Sequence, residues 1–183
     1  MTAISLNTSL PIGSAAIPFD LPGVDGRQHT LDEYADKKAL VVVFTCNHCP
    51  YAQGWEGRFI QIQRDYADRG VAFVLINAND PAKHPADNFE AMQERARTHE
   101  YPFAYLQDLP QATARAYSAA RTPEVFVFDA DRRLSYHGAP DDNIEVEQVT
   151  KHYLRDAIDA ALAGQPAPIA QTPAAGCTIK WTK

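Results

Sequence analysis

Cys46-Asn47-His48-Cys49-Pro50 is the stretch whose residue types can do chemistry. Two cysteines with two residues between them can close into a disulfide or exchange with one. Exchange proceeds by attack of a thiolate on sulfur, so one thiol must ionise near neutral pH. His48, next to the second cysteine, sets a titratable group beside the sulfurs. The flanks say how the pair is held. Val41-Val42-Val43-Phe44 is continuously apolar and rich in β-branched residues, which predicts a strand buried on both faces. Tyr51, Trp55, Phe59, Ile62 and Tyr66 then recur at three- and four-residue steps, which predicts a helix. The pair therefore sits where a buried strand hands over to a helix. Free N–H groups and the macrodipole at the helix start favour a thiolate there. In that context the spacing reads as a redox pair and not as half of a zinc site.

The chain of 183 residues is enough for one ordinary domain with a full core. A net charge of -6 argues against nucleic acid or an anionic membrane as partner. No apolar run approaches the ~20 residues of a membrane span. Met1 to Pro11 has neither a basic start nor an apolar core, so a cytoplasmic protein is expected. Three cysteines in a reducing compartment are not expected to form a structural framework.

Residues 1–16 read as a lightly ordered lead-in to a single domain. Phe19 and Leu21, an Asp25-Gly26 turn and Gln28 to Thr30 predict a short β-hairpin. Thr30 and Glu33 stand at capping-box spacing. Ala39 to Phe44 and Val71 to Ile76 predict buried strands, joined by a helix from Tyr51 to Arg69 that ends at Gly70. Asp87 with Glu90 marks a helix start, and Phe103 to Leu106 a short strand. Asp108 is read as the cap of a helix with Pro110 in its first turn. Val125 to Phe128 and Leu134 to His137 predict a second hairpin. Val146, Val149, Leu154, Ile158 and Leu162 predict a closing helix, followed by a Pro-rich tail over 165–183. The order is α/β: a right-handed βαβ unit, then an antiparallel hairpin on the same mixed sheet.

The chain resembles the thioredoxin superfamily, and within it the redoxin branch related to alkyl hydroperoxide reductase and thiol-specific antioxidant proteins. The residues that carry the resemblance are the hairpin before Val41, the Cys46–Pro50 junction and Thr122-Pro123 before a strand. A bacterial group with a Cys-Asn-His-Cys-Pro active site and a Gly-Cys-x-Ile-Lys-Trp tail is similar from about Pro18 onward; Gly176 to Trp181 match that tail. The resemblance implies a thioredoxin-like fold with an N-terminal hairpin extension. It implies a cis Pro123 facing the cysteines and a Thr122 backbone that pairs with an extended substrate. It also exposes departures. Thr45 replaces the usual Trp, and Leu40 stands where thioredoxins bury an Asp, leaving Glu56, His48 or water as the base for Cys49. Arg121 puts a cation where relatives often carry a cysteine.

The expected function is thiol–disulfide oxidoreduction of protein or small-molecule thiols and disulfides, with Cys46 and Cys49 as the catalytic pair. His48 and Pro123 would modulate the site, and Thr122 with Pro123 would bind substrate. The chemistry needs no cofactor and no metal, but does need an outside reductant; the chain is expected as a monomer or homodimer. Two other readings stand beside it. A thiol peroxidase would want Pro and Thr/Ser where Val42 and Cys46 stand. A metal module would use Cys46, His48, Cys49 and Cys177. In the tail, Cys177, Ile179 and Trp181 share one face of an extended segment. A linker of up to about 40 Å lets that face reach the active-site end of its own domain or a partner. Cys177 is thus either an inert groove cover or an accessory thiol. The remaining histidines, His29, His84, His99, His137 and His152, read as surface or hydrogen-bonded residues.

Overall fold

A computed structural model describes residues 10–183; the first nine residues of the expected lead-in lie outside them. The centre is a five-stranded mixed sheet in the order β5-β4-β3-β7-β8. Its strands are β3 (Ala39–Phe44), β4 (Val71–Asn77), β5 (Ala104–Gln107), β7 (Glu124–Phe128) and β8 (Leu134–Gly138). β3 runs parallel to β4 and antiparallel to β7, and all six of its residues are buried. That is what a continuous apolar run requires: both faces of the strand need a cover.

The two faces are covered by different elements. Val41 and Val43 pack with Trp55, Phe59 and Ile62 of α1 (Pro50–Tyr66), Met92 of α2 (Phe89–Thr98) and Leu154 and Ile158 of α4 (Tyr153–Leu162). Leu40, Val42 and Phe44 pack with Ala114 of α3 (Ala112–Ala116), Tyr117 and the N-terminal hairpin of β1 (Asp20–Pro22) and β2 (Gln28–Thr30). The alternation along one strand thus separates two cores. The structure is the expected thioredoxin-like mixed sheet with helices on both faces and a hairpin extension.

Several local expectations are corrected. Thr30 makes no capping hydrogen bond, because Glu33 turns to His29 instead. The cap of α2 is Asn88, whose side chain accepts from Ala91 N–H, and Asp87 points elsewhere. Asp108 accepts from Ala114 N–H, but α3 begins only at Ala112, so Pro110 lies in the preceding turn. Val146 is exposed in a separate 3-10 turn, so the closing helix starts at Tyr153. Residues 13–16 are not loosely held: Gly13 and Ala16 N–H groups bond to Leu134 and Arg132 carbonyls. His29 is buried but hydrogen-bonded, as expected, to Glu33 and Asp25; His137 is buried and stacks on Phe126 at 4.4 Å. Among the described residues no helix is long and apolar enough to cross a membrane.

Candidate active site

α1 begins at Pro50, where a missing N–H costs nothing, so Cys49 is the residue that caps the helix. Cys46 lies in the turn before it. Both are buried, Cys49 fully and Cys46 with 4% of its surface exposed. Thr122-Pro123 closes the site from the side, with the peptide bond cis. Cys46 Sγ lies 3.5 Å from Thr122 Oγ1, and Cys49 Sγ lies 3.3 Å from the Thr122 carbonyl oxygen, to which it donates when it carries the proton.

The two sulfurs share one proton unequally. Cys49 is pushed down to about 4, first by the neighbouring Cys46 thiol, then by the Cys177 thiol and the Ala52 and Cys177 backbone, all against its burial. Cys46 is pushed up, first by Cys49 and then by burial, with the Asp87 carboxylate adding to the rise and Thr122 opposing it. The helix-terminus stabilisation that the sequence assigns to the pair therefore falls on Cys49.

Asp87, a carboxylate with the sequence setting of a helix cap, organises the motif instead. Asp87 is fully enclosed and takes four polar contacts. Its Oδ1 accepts from Asn47 N–H at 2.6 Å and from Asn77 Nδ2 at 3.2 Å. Its Oδ2 accepts from Asn79 Nδ2 at 3.0 Å and meets His48 Nδ1. Asn47 in turn accepts from the Tyr105 hydroxyl at 2.7 Å and donates to the Ala86 carbonyl. The two central residues of the motif are thereby tied to the loop after β4. The sequence signal was Asn77-Ala78-Asn79-Asp80-Pro81, a polar cluster at the end of a buried strand, which reads only as a turn until the fold brings Asp87 back. His84 stacks on His48, ring centroids 5.3 Å apart. Glu56, one of the expected bases, instead pairs with Arg95 at 2.6 Å and with Tyr101.

Cys46, His48 and Asp87 each offer a ligand atom within 4.8 Å of the others, a set that could hold a metal ion. This differs from the expected metal quartet, in that Asp87 takes the place of Cys49 and Cys177. Cys177 itself packs against the Cys46–Cys49–Ala52 cluster. It is half-buried on β9 (Cys177–Thr178), which pairs antiparallel with β6 (Arg121–Thr122). Arg121 is exposed and donates to the Gly176 carbonyl at 3.3 Å. The tail therefore reaches the active-site end of its own domain.

Comparison with known proteins agrees with this fold. The AhpC/TSA family matches residues 12–137. A hypothetical protein of Sinorhizobium meliloti is 40% identical, with a TM-score of 0.90 over 96% of this chain and 97% of that one. An uncharacterized conserved protein of Geobacillus kaustophilus is also 40% identical, with a TM-score of 0.89 over 94% and 93%. A thiol:disulfide interchange protein of the thioredoxin family from Chlorobium tepidum shares the fold at 20% identity, with a TM-score of 0.66 over 84% of this chain and 99% of that one. No curated protein matches the chain.

Proposed function

The chain belongs to the AhpC/TSA family, and on that footing we propose that it is a thiol–disulfide oxidoreductase whose working pair is Cys46 and Cys49. The observation that carries the reading is the packing of two thiols, Cys46 and Cys49, against each other at a helix start. A peroxidatic cysteine needs only one sulfur, whereas here the second is already in place to close the bridge. Cys46, the less enclosed sulfur, meets the substrate. Its proton passes to Cys49, while Thr122 Oγ1 supports the Cys46 thiolate from 3.5 Å. Cys46 Sγ attacks a substrate disulfide, forming a mixed disulfide and expelling one substrate thiolate, which takes the proton from Cys49. Cys49 then attacks Cys46 Sγ, the mixed disulfide breaks, and the second substrate thiolate leaves. The chain loses two electrons, the substrate gains them, and an outside thiol reductant resets the pair. The reverse sequence oxidises dithiols.

The test uses reduced protein freed of reductant and mixed separately with a disulfide and with hydrogen peroxide. Closure of the Cys46–Cys49 bridge in step with disulfide consumption, abolished by Cys46→Ser, supports the reading. Faster consumption of peroxide, retained in Cys46→Ser and lost in Cys49→Ser, would replace it with a thiol peroxidase.

A further inference from the structure

We propose that residues 176–182 are a built-in strap filling the strand slot beside the cysteine pair, so that the pair serves low-molecular-mass thiols and disulfides in preference to extended polypeptides. This rests on the thiol–disulfide reading above. An extended polypeptide is captured at a free sheet edge through main-chain hydrogen bonds. The edge next to the sulfurs is β6, because Thr122 touches both of them. That edge is occupied by this chain's own tail, with Thr122 opposite Cys177 and Arg121 opposite Thr178.

The seat is specific at both ends. At Gly176 the approach to β6 is so close that a Cβ would lie 2.1 Å from the Thr122 carbonyl oxygen, so only glycine fits. Beyond Thr178, Ile179 N–H bonds to the Ala120 carbonyl at 3.0 Å, and Asp80 N–H bonds to the Lys180 carbonyl at 2.8 Å. Lys180 N–H bonds to Asn79 Oδ1 at 2.9 Å. The side chain of Gln111 clasps the same segment, donating to the Lys180 carbonyl at 3.0 Å and accepting from Thr182 N–H at 2.9 Å. Ile179 is buried in the second core, and the Trp181 ring lies 4.3 Å from the Arg115 guanidinium. A lightly ordered tail would not satisfy its main chain so completely.

With the strap seated, a polypeptide cannot pair with β6 beside the sulfurs. Cys46 keeps 4% of its surface exposed, and the neighbouring His48 side chain is 30% exposed. A compact disulfide can use that exposed surface; a chain that must lie along β6 cannot. Gly176 and Ile179 touch neither sulfur, so changing them opens the slot; the accompanying loss of the Cys177 contact with the pair falls on both disulfides alike, and the preference between them isolates the slot.

The experiment times bridge closure in the reduced full chain against hydroxyethyl disulfide and against insulin, per substrate disulfide. It compares the natural chain with Gly176→Val and Ile179→Ser, which unlatch opposite ends of the strap. The natural chain should favour the small disulfide. Each variant should cut that preference about tenfold, the effect on an open–closed equilibrium of losing one buried aliphatic contact or seating clash. Hydrogen exchange supplies the direct readout: the amides of Ile179, Lys180 and Thr182 should be protected in the natural chain and released in both variants, while those of Val41 to Phe44 stay protected. Equal rates on the two disulfides in the natural chain, freely exchanging strap amides, or a preference that survives unlatching would each overturn the strap proposal alone. Failure of both disulfides to close the bridge in any form would instead overturn the thiol–disulfide reading, and the strap proposal with it.

Discussion

Replacing Cys49 with serine should flatten the rise of folding stability with pH. In the folded chain Cys49 is held down to about 4, chiefly by Cys46, whereas a thiol in the unfolded chain titrates near 8.5. Below the folded value both states hold the proton, and the group contributes nothing. Between the two values the folded chain has released a proton that the unfolded chain retains, so stability climbs with pH by about 1.4 kcal/mol per unit. The contribution is complete above the unfolded value and is lost as pH falls through the folded one. Cys46 has the opposite sign, because the adjacent Cys49 sulfur and burial hold its proton on after the unfolded thiol would release it. Stability should therefore turn down again above about pH 8.5. From pH 5 to pH 8 the thiolate supplies at most a gain on the order of 4 kcal/mol. Urea unfolding of the reduced natural chain and of Cys49→Ser across this range measures it, and the difference between the proteins cancels the carboxylates and histidines common to both. Parallel stability curves would refute the assignment of the charge to Cys49.

Asp87→Asn removes the carboxylate that pushes Cys46 up, so alkylation of Cys46 at mildly alkaline pH should rise several-fold, measured by peptide mapping of the labelled chain; unchanged labelling would mean Asp87 acts only as a tether. His48→Pro takes away the ring that meets Asp87 close to Cys46 and should lower the reduction potential by tens of millivolts from a natural value above the about -270 mV of thioredoxin; equilibration with a glutathione buffer reads both. Gentle oxidation and digestion without reduction should give a Cys46–Cys49 bridge in the natural chain and a Cys49–Cys177 bridge in Cys46→Ser; a Cys177 that stays free in both would leave it a groove cover.

The sheet and the placement of the pair were legible because burial on both faces leaves a continuous apolar run, and a helix leaves a three- and four-residue rhythm. Ala39 to Phe44 and Trp55 to Tyr66 carry those signals undiluted. Caps were less legible. Asp108 does bond the first turn of α3, but Thr30 and Asp87, with the same chemistry of a cap, do not cap: a carboxylate or hydroxyl goes to whichever donors the tertiary fold brings near, and for Asp87 those donors come from Asn47, Asn77 and Asn79. The register of the pair on α1 turned on a single residue. Pro50 fits best as the first helical residue, and that makes Cys49 the cap and leaves Cys46 in the turn before it. The tail was legible in pattern, through the alternation of Cys177, Ile179 and Trp181, but not in destination. Its partner, β6, is two residues long and has no hydrophobic signature of its own.

The strand before the pair carries no carboxylate, yet the site is not without one. The loop after β4 delivers Asp87 to the Cys46 side of the motif, while the α1 N-terminus and the tail face the Cys49 side. A negative group near one sulfur and backbone donors near the other make the two thiols unequal before any substrate arrives. An enclosed carboxylate is tolerated there because four contacts satisfy its oxygens. If the same charge stood in β3 beneath Cys49, it would oppose the thiolate that the helix end favours. The polarity of the pair is set by three segments distant in sequence, so it exists only in the folded chain, and it depends in part on whether the tail is seated.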